Sequence, residues 1–91
     1  MPSTVRDNTA LSRFEIEADG VTAYANYRLA GNVITIMHTE TPSEARGRGI
    51  ASLLVAGALE TVRARGLKVV PQCPFVRAYI AKHPEYRDLL A

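Results

Sequence analysis

Three side chains and one loop stand out for the chemistry they could do. His38 and Glu40 lie two residues apart in an alternating run, so they share one face of a strand. Either could accept a proton, and the same spacing also suits a polar pair on an exposed face. Cys73 sits in the segment Pro71-Gln72-Cys73-Pro74, where two prolines fix the backbone. As a thiolate it would be a nucleophile, provided His38 or the N-terminus of the following helix lowers its pKa. As a thiol it is a small buried hydrophobe. The loop Arg46-Gly47-Arg48-Gly49 precedes a predicted helix that opens at Ile50-Ala51. Small residues let backbone wrap a ligand, and the first helical amides have no intrahelical partner. Together with flanking guanidiniums they suit a phosphate. The same glycines also suit a plain strand-to-helix turn with solvated arginines.

Composition bounds what can hold these groups. The chain has 91 residues, 47% hydrophobic and 22% charged. Surface scaling gives burial of roughly 64% of the extended chain's area, enough for one core. The single cysteine excludes an internal disulfide, and with two histidines any metal would need carboxylates, so no metal is expected. No apolar run is long enough to span a bilayer, and residues 1–8 lack the apolar core of a signal peptide. The expected location is cytoplasmic. Net charge is +2, and most basic residues are scattered, which argues against a nucleic-acid partner.

The positioning elements follow from periodicity. Residues 1–10 show no apolar period and read as a loosely attached lead-in, with a single domain over 11–91. Phe14 and Ile16 alternate with Arg13, Glu15 and Glu17 in a strand with one wet face. Asp19-Gly20 predicts a hairpin turn. A second strand covers 21–29, Ala30-Gly31-Asn32 turns again, and a third strand covers 33–41, rich in β-branched residues. A helix is predicted over 50–65, with Ile50, Ala51, Leu54, Val55, Ala58, Leu59 and Val62 on one side and Gly66 as its stop. A short strand over 67–70 follows, then a helix over 75–82 ended by His83-Pro84, and one more turn within 85–90. The order β-β-β-loop-α-β-α gives an α/β (α+β) fold. An antiparallel meander leads into a parallel crossover, with helices on the faces of a mixed sheet.

Familiar phosphate loops do not match. A P-loop needs Lys-Ser/Thr where Ile50-Ala51 stands, and a dinucleotide fingerprint needs a third glycine after a first parallel strand. The run Arg46-Gly47-Arg48-Gly49-Ile50-Ala51 resembles the Arg/Gln-x-x-Gly-x-Gly/Ala signature of the GNAT-superfamily N-acetyltransferases. A closer resemblance is to the very short single-domain GNAT-like subgroup. It is carried by Glu44-Ala45-Arg46-Gly47-Arg48-Gly49-Ile50-Ala51, Val70-Pro71-Gln72-Cys73-Pro74-Phe75-Val76 and His83-Pro84-Glu85-Tyr86, in that order. The resemblance covers roughly residues 11 to 90.

That resemblance implies a minimal GNAT-like sheet and acetyl-coenzyme A as cosubstrate. It places the coenzyme's pyrophosphate on Arg46, Gly47, Arg48, Gly49, Ile50 and Ala51. It implies acetyl transfer to an amine of a small molecule or protein, with Cys73, Glu40 and His38 as reactive candidates. Tyr79 falls where many such enzymes carry a tyrosine that protonates the coenzyme's sulfur. From its own spacing to Phe75 and Val76, Tyr79 reads equally as a packed aromatic. The chain lacks room for the helices that usually shape the acceptor site. A coenzyme A-binding module without turnover is the alternative, and a weak nucleic-acid binder the third. The sequence leaves monomer and homodimer both open.

Overall fold

The computed structural model describes residues 5–18, 20–43 and 49–91. The three alternating runs form strands β2 (Arg13–Ala18), β3 (Val21–Ala30) and β4 (Val33–Glu40), paired antiparallel. Gly20 and Gly31 turn the chain between them at φ of 80° and 62°, a region that favours glycine. Asp19, the other half of the expected first turn, lies outside the described residues.

Helix α1 (Ile50–Ala64) buries Leu54, Val55, Ala58, Leu59 and Val62 in one cluster with Phe14, Ile16, Ala23, Ala25, Tyr27, Ile34 and Ile36. Burial of each large aliphatic side chain contributes about 1.5–3 kcal/mol. Gly66, at φ 70°, ends the helix as expected: its N–H donates to the Arg63 carbonyl and the Leu67 N–H to the Val62 carbonyl. Strand β5 (Lys68–Pro71) then pairs parallel with β4, from Val33 opposite Lys68 to Ile36 opposite Pro71. Helix α2 (Pro74–Lys82) and a 3-10 helix (Pro84–Leu89) complete the chain. With an edge strand β1 (Arg6–Asn8), the sheet order is β1-β2-β3-β4-β5.

Two expectations are corrected. Residues 6–8, inside the expected lead-in, form the edge strand β1 (Arg6–Asn8), antiparallel to β2. Polar contacts that leave no hydrophobic period hold it in place. Arg6 and Asn8 donate to Glu15 at 2.7 and 3.1 Å, while Tyr27 and Arg65 donate to Asp7 at 2.6 and 2.7 Å. The helices also do not flank both faces. The buried residues of α1, α2 and the 3-10 helix all join the cluster on the face carrying Phe14 and Ile16. The opposite face carries Arg13, Glu15, Tyr24, Asn26, His38 and Glu40, and no described helix packs on it. One amphipathic layer suffices because only one face of this sheet is apolar.

Candidate active site

One irregularity in β4 organises the site. Asn26 pairs with His38, but Tyr27 pairs with Ile36, so Met37 is an extra residue forming a β-bulge. Simple alternation would send residues 34, 36, 38 and 40 to the same side. The bulge reverses the phase. Ile34 and Ile36 point into the core, Thr39 lies opposite buried Ala25, and His38 and Glu40 turn to the open face beside Asn26 and Tyr24.

The same place is where β4 and β5 part. Their pairing stops at Ile36 and Pro71, and the last link across is the Cys73 N–H donating to the Ile36 carbonyl at 3.0 Å. Pro71 and Pro74 have no N–H with which to continue a ladder. Cys73 thus becomes the N-cap residue of α2, 4% exposed, with Sγ 3.7 Å from Thr39 Oγ1. Burial works to raise its pKa. The Thr39 hydroxyl and the nearby backbone amides of Val76, Phe75 and Thr39 favour the thiolate and outweigh burial, so the thiol lies below its ordinary value, although no amide of the first turn of α2 closes a capping hydrogen bond to the sulfur. Of the two activators the sequence offered, the helix N-terminus contacts Cys73, and no hydrogen bond among the described residues joins it to His38.

His38 and Glu40 meet each other. Nε2–H of His38 donates to Glu40 Oε1 at 3.0 Å, with side chains 61% and 43% exposed. In a neutral imidazole held this way, Nδ1 is the lone pair available to accept a proton.

Gly49 caps α1 at φ 72°, and a Cβ there would meet none of the described residues within 4 Å. Among the described residues no side chain caps the helix and no acid lies in its first turn, so the amides there present partial positive charge. Ile50 and Ala51 open this helix. Arg46, Gly47 and Arg48 lie outside the described residues, as do Glu44 and Ala45. Between the first turn of α1 and α2 is a hollow of about 280 Å³, lined by Ser52, Phe75, Ala78, Tyr79, Lys82 and His83. Tyr79 stacks on His83 at 3.9 Å between ring centroids, and the His83 Nδ1–H donates to the Tyr79 carbonyl at 2.8 Å. Burial, reinforced by the Glu85 and Glu60 carboxylates, raises the Tyr79 pKa, so its phenol stays protonated near neutrality.

Thr39 and Lys82 join the site without having been singled out from the sequence, where Phe75 and His83 stood only within the family segments and His83 as a helix stop. The spacing of Phe75, Ala78, Tyr79 and Lys82 marks one face of α2, but not that this face borders α1. Thr39 could not be found by alternation, because the bulge changes its side.

Residues 13–89 match the family described as GCN5-related N-acetyl-transferase. The chain belongs to that family. Protein NATD1 of Mus musculus is 30% identical over 86 residues, covering 91% of this chain and 78% of its own length. The Homo sapiens NATD1 is also 30% identical over 86 residues, with 91% and 76% covered. The solution structure of a GCN5-like candidate N-acetyltransferase from Staphylococcus aureus superposes with a TM-score of 0.73 at 26% identity. It covers 99% of this chain and 89% of that one. This GCN5-related protein is therefore an acyltransferase of the acetyltransferase class, on the mixed α/β sheet that its sequence implied. Acetyl-coenzyme A is the general substrate of the family. Among the described residues no cluster of three or more His, Cys, Asp or Glu could hold a metal, and no helix is long and apolar enough to cross a membrane.

Proposed function

We propose that this acetyltransferase takes an acetyl group from acetyl-coenzyme A onto Cys73 and passes it to an amine. The observation that carries the proposal is the position of the Cys73 sulfur, at the N-terminus of α2 where β4 and β5 part, 3.7 Å from the Thr39 hydroxyl and among backbone amides that favour its thiolate.

The residues present suit the coenzyme. Among the described residues, the amides opening α1 at Gly49, Ile50 and Ala51 have no side-chain cap, no acid in the first turn and nothing crowding Gly49. Arg46, Gly47 and Arg48 complete this pyrophosphate site in the proposal. Bound acetyl-coenzyme A supplies an activated thioester.

The Cys73 thiolate adds to the thioester carbonyl carbon. The bond from that carbon to the coenzyme's sulfur breaks as the new bond to Cys73 Sγ is kept, and the coenzyme leaves as a thiolate. The protonated phenol of Tyr79 is the acid suited to protonate that sulfur. The amine then attacks the acetyl-cysteine, freeing the Cys73 thiolate. His38, oriented by Glu40 on the open face, takes the amine's proton. The open face gives the acceptor, small molecule or protein, its approach. A reducing compartment supplied with acetyl-coenzyme A suits this chemistry, and the cytoplasm is the location we propose.

Intact-mass measurement after incubation with acetyl-coenzyme A tests the reading. One acetyl group on the wild type, absent in Cys73→Ala and discharged by an amine panel, is the expected result. Turnover that persists in Cys73→Ala would refute the acetyl-cysteine in favour of direct transfer. Coenzyme binding with neither acetylation nor thiol release would mark a module without turnover.

A further inference from the structure

The other flank of α2, away from the hollow beside α1, carries a second cavity. It has a volume of about 360 Å³ and is lined by Pro71, Arg77, Ile80, Ala81, Arg87 and Leu90. That volume falls in the range of small-molecule sites. Arg77, Ile80 and Ala81 share one face of α2 by their three- and four-residue spacing. Arg87 comes from the 3-10 helix, and Leu90 from the segment that returns along β5.

Arginine pairing sets this cavity apart. Arg6 and Arg13 hold Glu15, Arg63 holds Asp88, and Arg65 holds Asp7. Among the remaining described arginines, Arg28, Arg77 and Arg87 hold no carboxylate, and two of these line the same cavity. Arg77 reaches only the carbonyls of Pro71 and Gln72, both at 3.4 Å, the long end of the hydrogen-bond range. No acid lines the cavity, and the nearby Asp88 carboxylate is occupied by Arg63.

The backbone decides what kind of occupant fits. A peptide strand would need free N–H and C=O groups along the edge of β5. That edge is closed: the Val69 carbonyl accepts from the Ala91 N–H at 3.0 Å, Pro71 has no N–H, and the Pro71 carbonyl faces Arg77. What is left is an apolar slot with two guanidiniums at hand. We infer that this groove binds a small amphiphilic carboxylate, its tail against Pro71, Ile80, Ala81 and Leu90 and its head between Arg77 and Arg87. Planar guanidinium forks match a carboxylate bidentately, and an apolar tail gains from burial that a bare anion would not. The site is separate from the acetyl-transfer reading and stands without it.

Amide chemical-shift titration of the full chain tests this, with hexanoate as probe and 1-hexanol, hexylammonium and acetate as comparators. Hexanoate is expected to give saturable shifts at Ala81, Arg87 and Leu90, with hexylammonium and acetate giving none there. Arg87→Gln should weaken hexanoate by about tenfold or more, the loss expected for a charge-assisted hydrogen bond. Ala81→Leu keeps both charges but fills the slot, and should abolish binding with spectral dispersion unchanged. Hexanol binding as tightly as hexanoate would overturn the proposal, since the arginines would then be unused. So would the absence of saturable shifts up to about 10 mM probe.

Discussion

Glu15 is a carboxylate on the helix-free face of the sheet, only 4% exposed, with Arg6, Arg13 and Asn8 all donating to it. The side-chain bonds of Arg13 and then Arg6 bring its pKa down from 4.5 to about 2, against a smaller opposing contribution from burial. A depressed carboxylate stabilises the fold above its unfolded pKa, and that stability is lost as pH falls through the folded value. The window here runs from about 4.5 down to about 2. The full shift corresponds to about 3 kcal/mol, at roughly 1.4 kcal/mol per pH unit. Only one layer of arginine side chains separates Glu15 from water, so screening reduces this to about 1–2 kcal/mol. Glu15→Gln should therefore cost about 1–2 kcal/mol near neutral pH, and the penalty should shrink as the wild-type carboxylate protonates. Urea unfolding of both proteins, followed by circular dichroism from about pH 7 to about pH 3, measures the difference. Carboxylates common to both chains cancel in it. Parallel stability profiles for the two proteins, with a constant gap, would refute the argument.

Gly57 faces Val5 so closely that an added Cβ would lie 2.6 Å from the Val5 Cβ. Gly57→Ala, which in a free helix gains about 1 kcal/mol, should instead lose about 1–3 kcal/mol in urea unfolding, and Val5→Gly in the same chain should recover the loss. Thr39→Val removes a hydroxyl donor from Cys73. The pH profile of iodoacetamide alkylation should move upward, and an unmoved profile would remove Thr39 from the site. At Gly49, asparagine tolerates the positive φ and its side chain enters open space, so Gly49→Asn should keep its melting temperature within a few degrees. Its affinity for coenzyme A, read by calorimetry, should fall by about tenfold or more, because the side chain then occupies the approach to the α1 amides.

The parts of this protein legible in its sequence are those governed by local periodicity and backbone preference. Period-two alternation with Gly20 and Gly31 marked three strands, and the apolar stripe from Ile50 to Val62 with Gly66 marked α1 and its end. Pro71, Pro74 and Pro84 bounded β5 and α2. The loop and cysteine segments carried the family likeness. Strand β1 stayed hidden because its hold on the sheet is made by Asp7, Arg6 and Asn8 with residues far along the chain. Periodicity cannot register such contacts.

The sequence by itself determined the fold class, the family and the cysteine worth testing. The tertiary structure decided which groups meet. A single extra residue at Met37 turns His38 and Glu40 out to the open face and Thr39 in toward Cys73. Strict alternation would put them the other way round. That reversal is set by pairing with β3 across the sheet, and no pattern within β4 encodes it.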